Sequence, residues 1–122
     1  MTNRTLTTTR CLHHAGATVL AVTGELDHHT APELTRAIGE TPFGPHAPVV
    51  FDLSGLTYCD STGITVLISA SNHAQRTDGR LVFVGLNADL MRVFRIVGLD
   101  QILTFRPTLD DAIDVLQSPG GP

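Results

Sequence analysis

The chain has no lysine and no tryptophan, and it has a single tyrosine. All eight basic residues are arginines, scattered along the sequence, against twelve acidic residues and a net charge of −4. A nucleic-acid footprint needs clustered Lys and Arg, and single-strand binding needs aromatic platforms. Neither is present. Cysteine is scarce as well: Cys11 and Cys59 stand far apart, with no C-x-x-C spacing to suggest a redox or zinc motif. No apolar run approaches the ~18 residues of a membrane span. The first residues, Met1-Thr2-Asn3-Arg4, lead into threonines rather than an apolar signal core. These absences lead us to expect a cytoplasmic protein with reduced thiols, without nucleic-acid or membrane partners.

What is present is a globular composition, 42% apolar, in a length that suits one domain with one core. We expect that domain over residues 1–117, and a disordered tail over 118–122, where proline and glycine dominate. The Thr-rich stretch 5–14 reads as a strand. Ala15-Gly16 reads as a tight turn, and residues 17–22 as a second strand completing a hairpin. Asp27 or Thr30 can cap a helix with Pro32 in its first turn and Leu34 and Ile38 on one face. Residues 41–48, with three prolines, form a loop. Val49 to Leu53 is apolar apart from Asp52, as in a central strand buried on both faces.

Asp60-Ser61-Thr62-Gly63 then opens a helix whose stripe is Ile64, Leu67, Ile68, Ser71 and Ala74, with Gly79 as the expected C-cap. Residues 81–85 read as a buried strand. Asn87 caps a helix whose Leu90, Val93, Phe94 and Val97 are expected to be core. Gly98 stops it. Residues 102–105 are expected as a last edge strand, and Thr108 caps a terminal helix. The order β-β-α-β-α-β-α-(β)-α predicts an α/β fold, a mixed four- to five-stranded sheet with about four helices.

The chemistry concentrates at Ser61. A hydroxyl at a helix N-terminus sits where backbone N–H groups and the helix dipole favour negative charge, so a phosphate there is tolerated and changes the surface by nearly two charges. Asp60 is the natural N-cap. No general base, G-x-S-x-G or P-loop accompanies Ser61, so no catalytic residue is expected and the chain reads as a binding protein rather than an enzyme. Adjacent His28 and His29 lack a third ligand at supportive spacing, so no metal or other cofactor is expected. Cys59 reads as a small buried hydrophobe.

Three segments together resemble the STAS domain, and within it the bacterial anti-sigma factor antagonists (anti-anti-sigma factors) of the sporulation type. They are Gly24-Glu25-Leu26-Asp27-His28-His29-Thr30-Ala31, the run from Asp52 to Ile64, and the stretch from Leu90 to Leu99. The resemblance covers roughly residues 5–117. It implies a scheme in which the unphosphorylated antagonist binds an anti-sigma factor serine kinase and frees a sigma factor. The kinase, which carries the ATP, phosphorylates the antagonist and disarms it; a serine phosphatase reverses this. Carried over by position, Ser61 is the phosphoacceptor. Asp27, Asp60, Thr62 and Gly63 join it at the partner-binding surface. The chain departs from the family pattern at Cys59, Ile64 and Thr65. The alternative is a phosphorylation-independent STAS accessory subunit of a transporter ATPase or a stress-signalling scaffold. With no long heptad and no large exposed patch visible, a monomer is expected.

Overall fold

A computed structural model describes residues 4–13 and 15–117. The expected tail at 118–122 lies outside the described residues. Among the described residues six strands and four α-helices follow one another: β1 Leu6–Leu12, β2 Thr18–Leu26, α1 Ala31–Gly39, β3 Val49–Asp52, β4 Leu56–Cys59, α2 Ser61–Arg76, β5 Leu81–Val84, α3 Ala88–Ile96, β6 Phe105–Arg106 and α4 Leu109–Gln117, with a 3₁₀ turn at Leu99–Gln101.

The sheet is mixed, in the order β1-β2-β3-β5-β6. The opening hairpin is antiparallel, with Leu6 opposite Gly24 and Leu12 opposite Thr18. The other pairings are parallel, as helical crossovers require. β2 is longer than expected and serves two neighbours. Its Thr18–Ala21 half pairs with β3, and its Gly24–Leu26 half pairs with β4. Within the β4 pairing the register shifts between Gly24 and Glu25, and Gly24 has a φ of 114° that only glycine adopts freely. A Cβ there would also collide with the Thr5 carbonyl oxygen.

Alternation along the strands sorts the core into two layers. Val49 and Phe51 face α1, α2 and α3 in a cluster with Leu34, Leu67, Ala70 and Phe94. Val50, with Val82 and Val84, faces α4 through Ala112 and Ile113. Phe51 and Phe83 pack edge to face across β3 and β5, centroids 5.4 Å apart.

The sheet has one strand more than the four to five expected. β4 is four residues long, and Thr57 and Tyr58 in its middle are exposed, so it carries no apolar run to announce it. The last strand is Phe105–Arg106, because the loop that follows the 3₁₀ turn occupies 102–104 of the expected 102–105 stretch. The α2 terminus also differs. Gly79 is not the C-cap; Thr77 is. Asp78 takes the left-handed position at φ 58°, Gly79 N–H donates to Ala74 O (2.7 Å), and Asp78 N–H donates to Gln75 O (3.1 Å). This is a Schellman closure with aspartate where glycine is usual.

The α3 stripe is not all core. Phe94 is fully buried and Leu90 partly so, but Val93 and Val97 are 46% and 58% exposed, beside Ile96 at 77% and Ile102 at 56%. A nine-residue helix near the end of the sheet has only a narrow side to bury. An exposed aliphatic patch therefore exists, and one ground for expecting a monomer does not hold.

Candidate functional site

Parallel strands deliver their C-terminal ends to one edge of the sheet, where α/β folds place their binding crevices. Here β2 and β4 lie side by side, so the loops leaving them meet. Leu26 is opposite Cys59, and Asp60 N–H donates to Leu26 O (3.0 Å).

Asp60 holds the junction together. It is the N-cap of α2, and its Oδ1 accepts from Gly63 N–H at 2.9 Å. Its Oδ2 accepts from His28 N–H at 3.2 Å, tying the loop before α1 to the start of α2. Ser61 and Thr62 follow as the first two residues of α2, both exposed. The Ser61 carbonyl accepts from the Thr65 hydroxyl at 3.0 Å, so Thr65 braces the first turn from within the helix.

Gly63 is buried beneath this surface. A Cβ at that position would lie 2.7 Å from Leu26 Cγ and 2.8 Å from Cys59 Sγ. The requirement is for close approach: α2 starts where it does because nothing projects there. The Cys59 thiol packs into the same contact. Burial, reinforced by the neighbouring Asp60 carboxylate, pushes its pKa up to about 12, so it is an inert hydrophobe.

Asp27 is buried with its charge satisfied locally. Its Oδ1 accepts from His29 N–H and Thr30 N–H, both at 2.9 Å. The Thr30 hydroxyl accepts from Asp27 N–H (3.0 Å) and donates to Glu25 O (2.7 Å). Thr30 is the N-cap residue of α1 by position, but its side chain serves this turn and not the helix. Burial alone would raise the Asp27 pKa. The backbone donors of Thr30 and His29, the Thr30 side chain and the Arg4 charge outweigh it and hold the carboxyl below its ordinary value.

The sequence reading missed Arg4 and Tyr58. The Arg4 guanidinium lies 3.7 Å from the centroid of the Tyr58 ring. It pairs at longer range with Asp27 (3.7 Å) and Glu25 (3.8 Å). Arg4, Asp27, His28, His29, Tyr58 and Asp60 line a pocket of about 400 Å³. The only foreshadowing was Tyr58 as the sole tyrosine of the chain. A larger groove of about 710 Å³ lies between α3 and the segment 100–107 and involves none of these residues.

The structure thus brings Asp27, Asp60, Ser61, Thr62 and Gly63 into one region, with Ser61 and Thr62 at the surface and Asp27 and Gly63 beneath it. Among the described residues no group of three or more His, Cys, Asp or Glu side chains could hold a metal ion. No helix among them is long and apolar enough to cross a membrane.

Comparison with known proteins identifies the family and the fold. The family model for the STAS domain matches residues 9–112. An anti-sigma-B factor antagonist of Listeria monocytogenes is 33% identical over 85 residues, covering 70% of this chain and 75% of that one. The anti-sigma-F factor antagonist RsfB of Mycobacterium tuberculosis is 31% identical over 100 residues, covering 82% and 81%. The crystal structure of an anti-sigma factor antagonist from Mycobacterium paratuberculosis superposes with a TM-score of 0.80 at 30% identity, covering 93% of this chain and 96% of the other. With most of its length matched by the family model and its fold shared with that structure, this chain belongs to the STAS domain family.

Proposed function

We propose that the chain is an anti-sigma factor antagonist controlled by phosphorylation on Ser61. In the unphosphorylated state it binds an anti-sigma factor kinase, and the sigma factor held by that kinase is released. The kinase carries the ATP and modifies Ser61; a serine phosphatase restores it. The observation that carries the reading is Ser61 itself, an exposed hydroxyl in the first turn of a 16-residue helix whose cap carboxylate is already engaged by backbone N–H groups. The names of the relatives support the partner class.

The physics favours a switch at the interface rather than in the fold. A phosphate on Ser61 gains from the α2 dipole and meets repulsion from the Asp60 carboxylate next to it; the two oppose each other. The backbone around Ser61 stays in place. Binding changes because a partner surface that fits the bare hydroxyl must desolvate or repel a dianion. An unpaired charge in an interface costs several kcal/mol, and ~1.4 kcal/mol is tenfold in affinity. Asp27 and Gly63, being buried, act by holding the shape of the surface that Asp60, Ser61 and Thr62 present.

The test is intact mass after incubation with ATP and a lysate of the source bacterium, run beside Ser61→Ala. A gain of about 80 Da, one phosphate, that disappears in the variant is expected. Ser61→Asp should weaken binding to the captured kinase by at least roughly tenfold. A phosphate retained by Ser61→Ala would move the acceptor elsewhere. No gain in either protein, together with a stable complex with a transporter ATPase or a scaffold, would replace this reading with the accessory-subunit one.

A further inference from the structure

We propose that Arg4 is a built-in competitor at the Asp27 pocket: it covers a site suited to a guanidinium, and a cationic group that a partner brings to this face must displace it. The inference deepens the reading of this face as the partner-binding surface and needs no phosphate on Ser61.

Three groups converge where Arg4 lies. The first is the face of Tyr58, with the guanidinium carbon 3.7 Å from the ring centroid. A guanidinium is planar and weakly hydrated, so it stacks on such a ring better than an ammonium does. The second is Asp27, whose side chain is only 8% exposed. Its Oδ1 takes the His29 and Thr30 N–H groups. Among the described residues no hydrogen bond reaches its Oδ2, and the Arg4 Nη1 that pairs with it stops at 3.7 Å. The third is Glu25, 3.8 Å from Arg4 Nε. Arg4 thus has the right chemistry for the site and too short a reach. It stacks on the ring, but both carboxylates lie beyond hydrogen-bond distance.

Displacement leaves the fold intact. Thr5 O accepts from Glu25 N–H at 2.8 Å, and β1 pairs with β2 from Leu6 onward. Arg4 precedes that fastening, and its side chain is 36% exposed, so it can swing away without unzipping the hairpin. Beside it lies the space of about 400 Å³ lined by Tyr58, Asp27, Asp60, His28 and His29, which is room for an incoming side chain. The carboxylates of Asp27, Asp60 and Glu25 face a single guanidinium, so the vacated site still attracts a cation. An incoming arginine gains what Arg4 lacks, a charge-assisted hydrogen bond to Asp27 Oδ2.

The probe is N-acetyl-L-arginine amide, with the uncharged N-acetyl-L-citrulline amide as control. The His28 and His29 amides donate to Asp60 and Asp27, so their ¹H–¹⁵N NMR shifts report on both carboxylates. The probe is titrated into the parent, Arg4→Gln and Arg4→Gln/Tyr58→Leu; the exposed Tyr58 can be changed without opening the core, and the amide spectra verify each fold. Arg4→Gln is expected to bind the arginine probe at least about fivefold more tightly than the parent, because stacking and the two long ion pairs no longer compete. Removing the ring as well should weaken the probe by at least roughly threefold, and the citrulline probe should give no saturable shift. Equal affinities in the parent and Arg4→Gln would overturn the competition. No saturable shift in Arg4→Gln, or an equal response to citrulline, would overturn the site itself. Failure of the mass test with Ser61→Ala would instead count against phosphorylation, which these titrations do not involve.

Discussion

Replacing Gly63 by alanine is the sharpest test of how α2 is seated. In an exposed helix the change should stabilise, because glycine costs up to about 1 kcal/mol relative to alanine. Here the added Cβ would sit 2.7 Å from Leu26 Cγ and 2.8 Å from Cys59 Sγ. Neither atom can retreat cheaply. Leu26 is fully buried, the contact is with its branching carbon, and the sulfur is wedged beside the α2 cap. Overpacking of this kind costs typically 1–3 kcal/mol, so after the full propensity gain the net loss is at most about 2 kcal/mol and centres on about 1 kcal/mol. With a urea slope of roughly 2 kcal/mol per molar, the unfolding midpoint falls by about 0.5 M. Gly39→Ala, exposed at the end of α1 with nothing within 4 Å of its Cβ, is the control and should be neutral or stabilising, by up to about 1 kcal/mol. Pairing Gly63→Ala with Cys59→Ala should recover at least ~0.5 kcal/mol of coupling, because the sulfur is one of the two obstacles. If Gly63→Ala unfolds at the parent's midpoint or above it, the close packing of α2 against Leu26 and Cys59 is not what requires glycine here.

Other consequences can be checked with small sets of variants. Asp60→Ala removes the α2 cap and the tie to His28 N–H, and should cost about 1–2 kcal/mol in urea unfolding; Asp60→Asn, which keeps an acceptor, should cost clearly less. Asp27 has a lowered folded-state pKa, so its contribution is fully present above the ordinary 3.8 and is lost as pH falls through the folded value. The melting-temperature advantage of the parent over Asp27→Asn should therefore shrink between pH 6 and pH 3, and a constant difference would contradict that account. A maleimide should label one thiol per native chain, the exposed Cys11, and two after unfolding, because Cys59 is packed against the α2 cap with its pKa pushed up to about 12. Fast labelling of Cys59 in the native protein would mean that the start of α2 opens.

The parts of this protein legible in its sequence are those whose cause is local. Asp60 three residues before Gly63 is a capping geometry complete within four residues, and α2 begins where that geometry says. The runs 49–52 and 81–84 are apolar enough to be strands in almost any neighbourhood, and the hairpin turn at Ala15-Gly16 needs only adjacent chain. The position of Ser61, a hydroxyl just past a cap, was likewise visible. Tertiary structure decided everything that depends on partners distant in the chain. β4 exists because Gly24–Leu26 of β2 offers it a free parallel edge, although Thr57 and Tyr58 give no apolar signal. Val93 and Val97 share a stripe with Phe94, yet they are exposed because α3 has little sheet left to cover. Arg4 meets Tyr58, and the His28 amide meets Asp60, only after β2 and β4 have paired. Caps and turns are short-range hydrogen-bond problems that a few residues solve alone. Exposure and the assembly of a pocket depend on which surfaces the rest of the chain leaves uncovered, and periodicity carries no record of that.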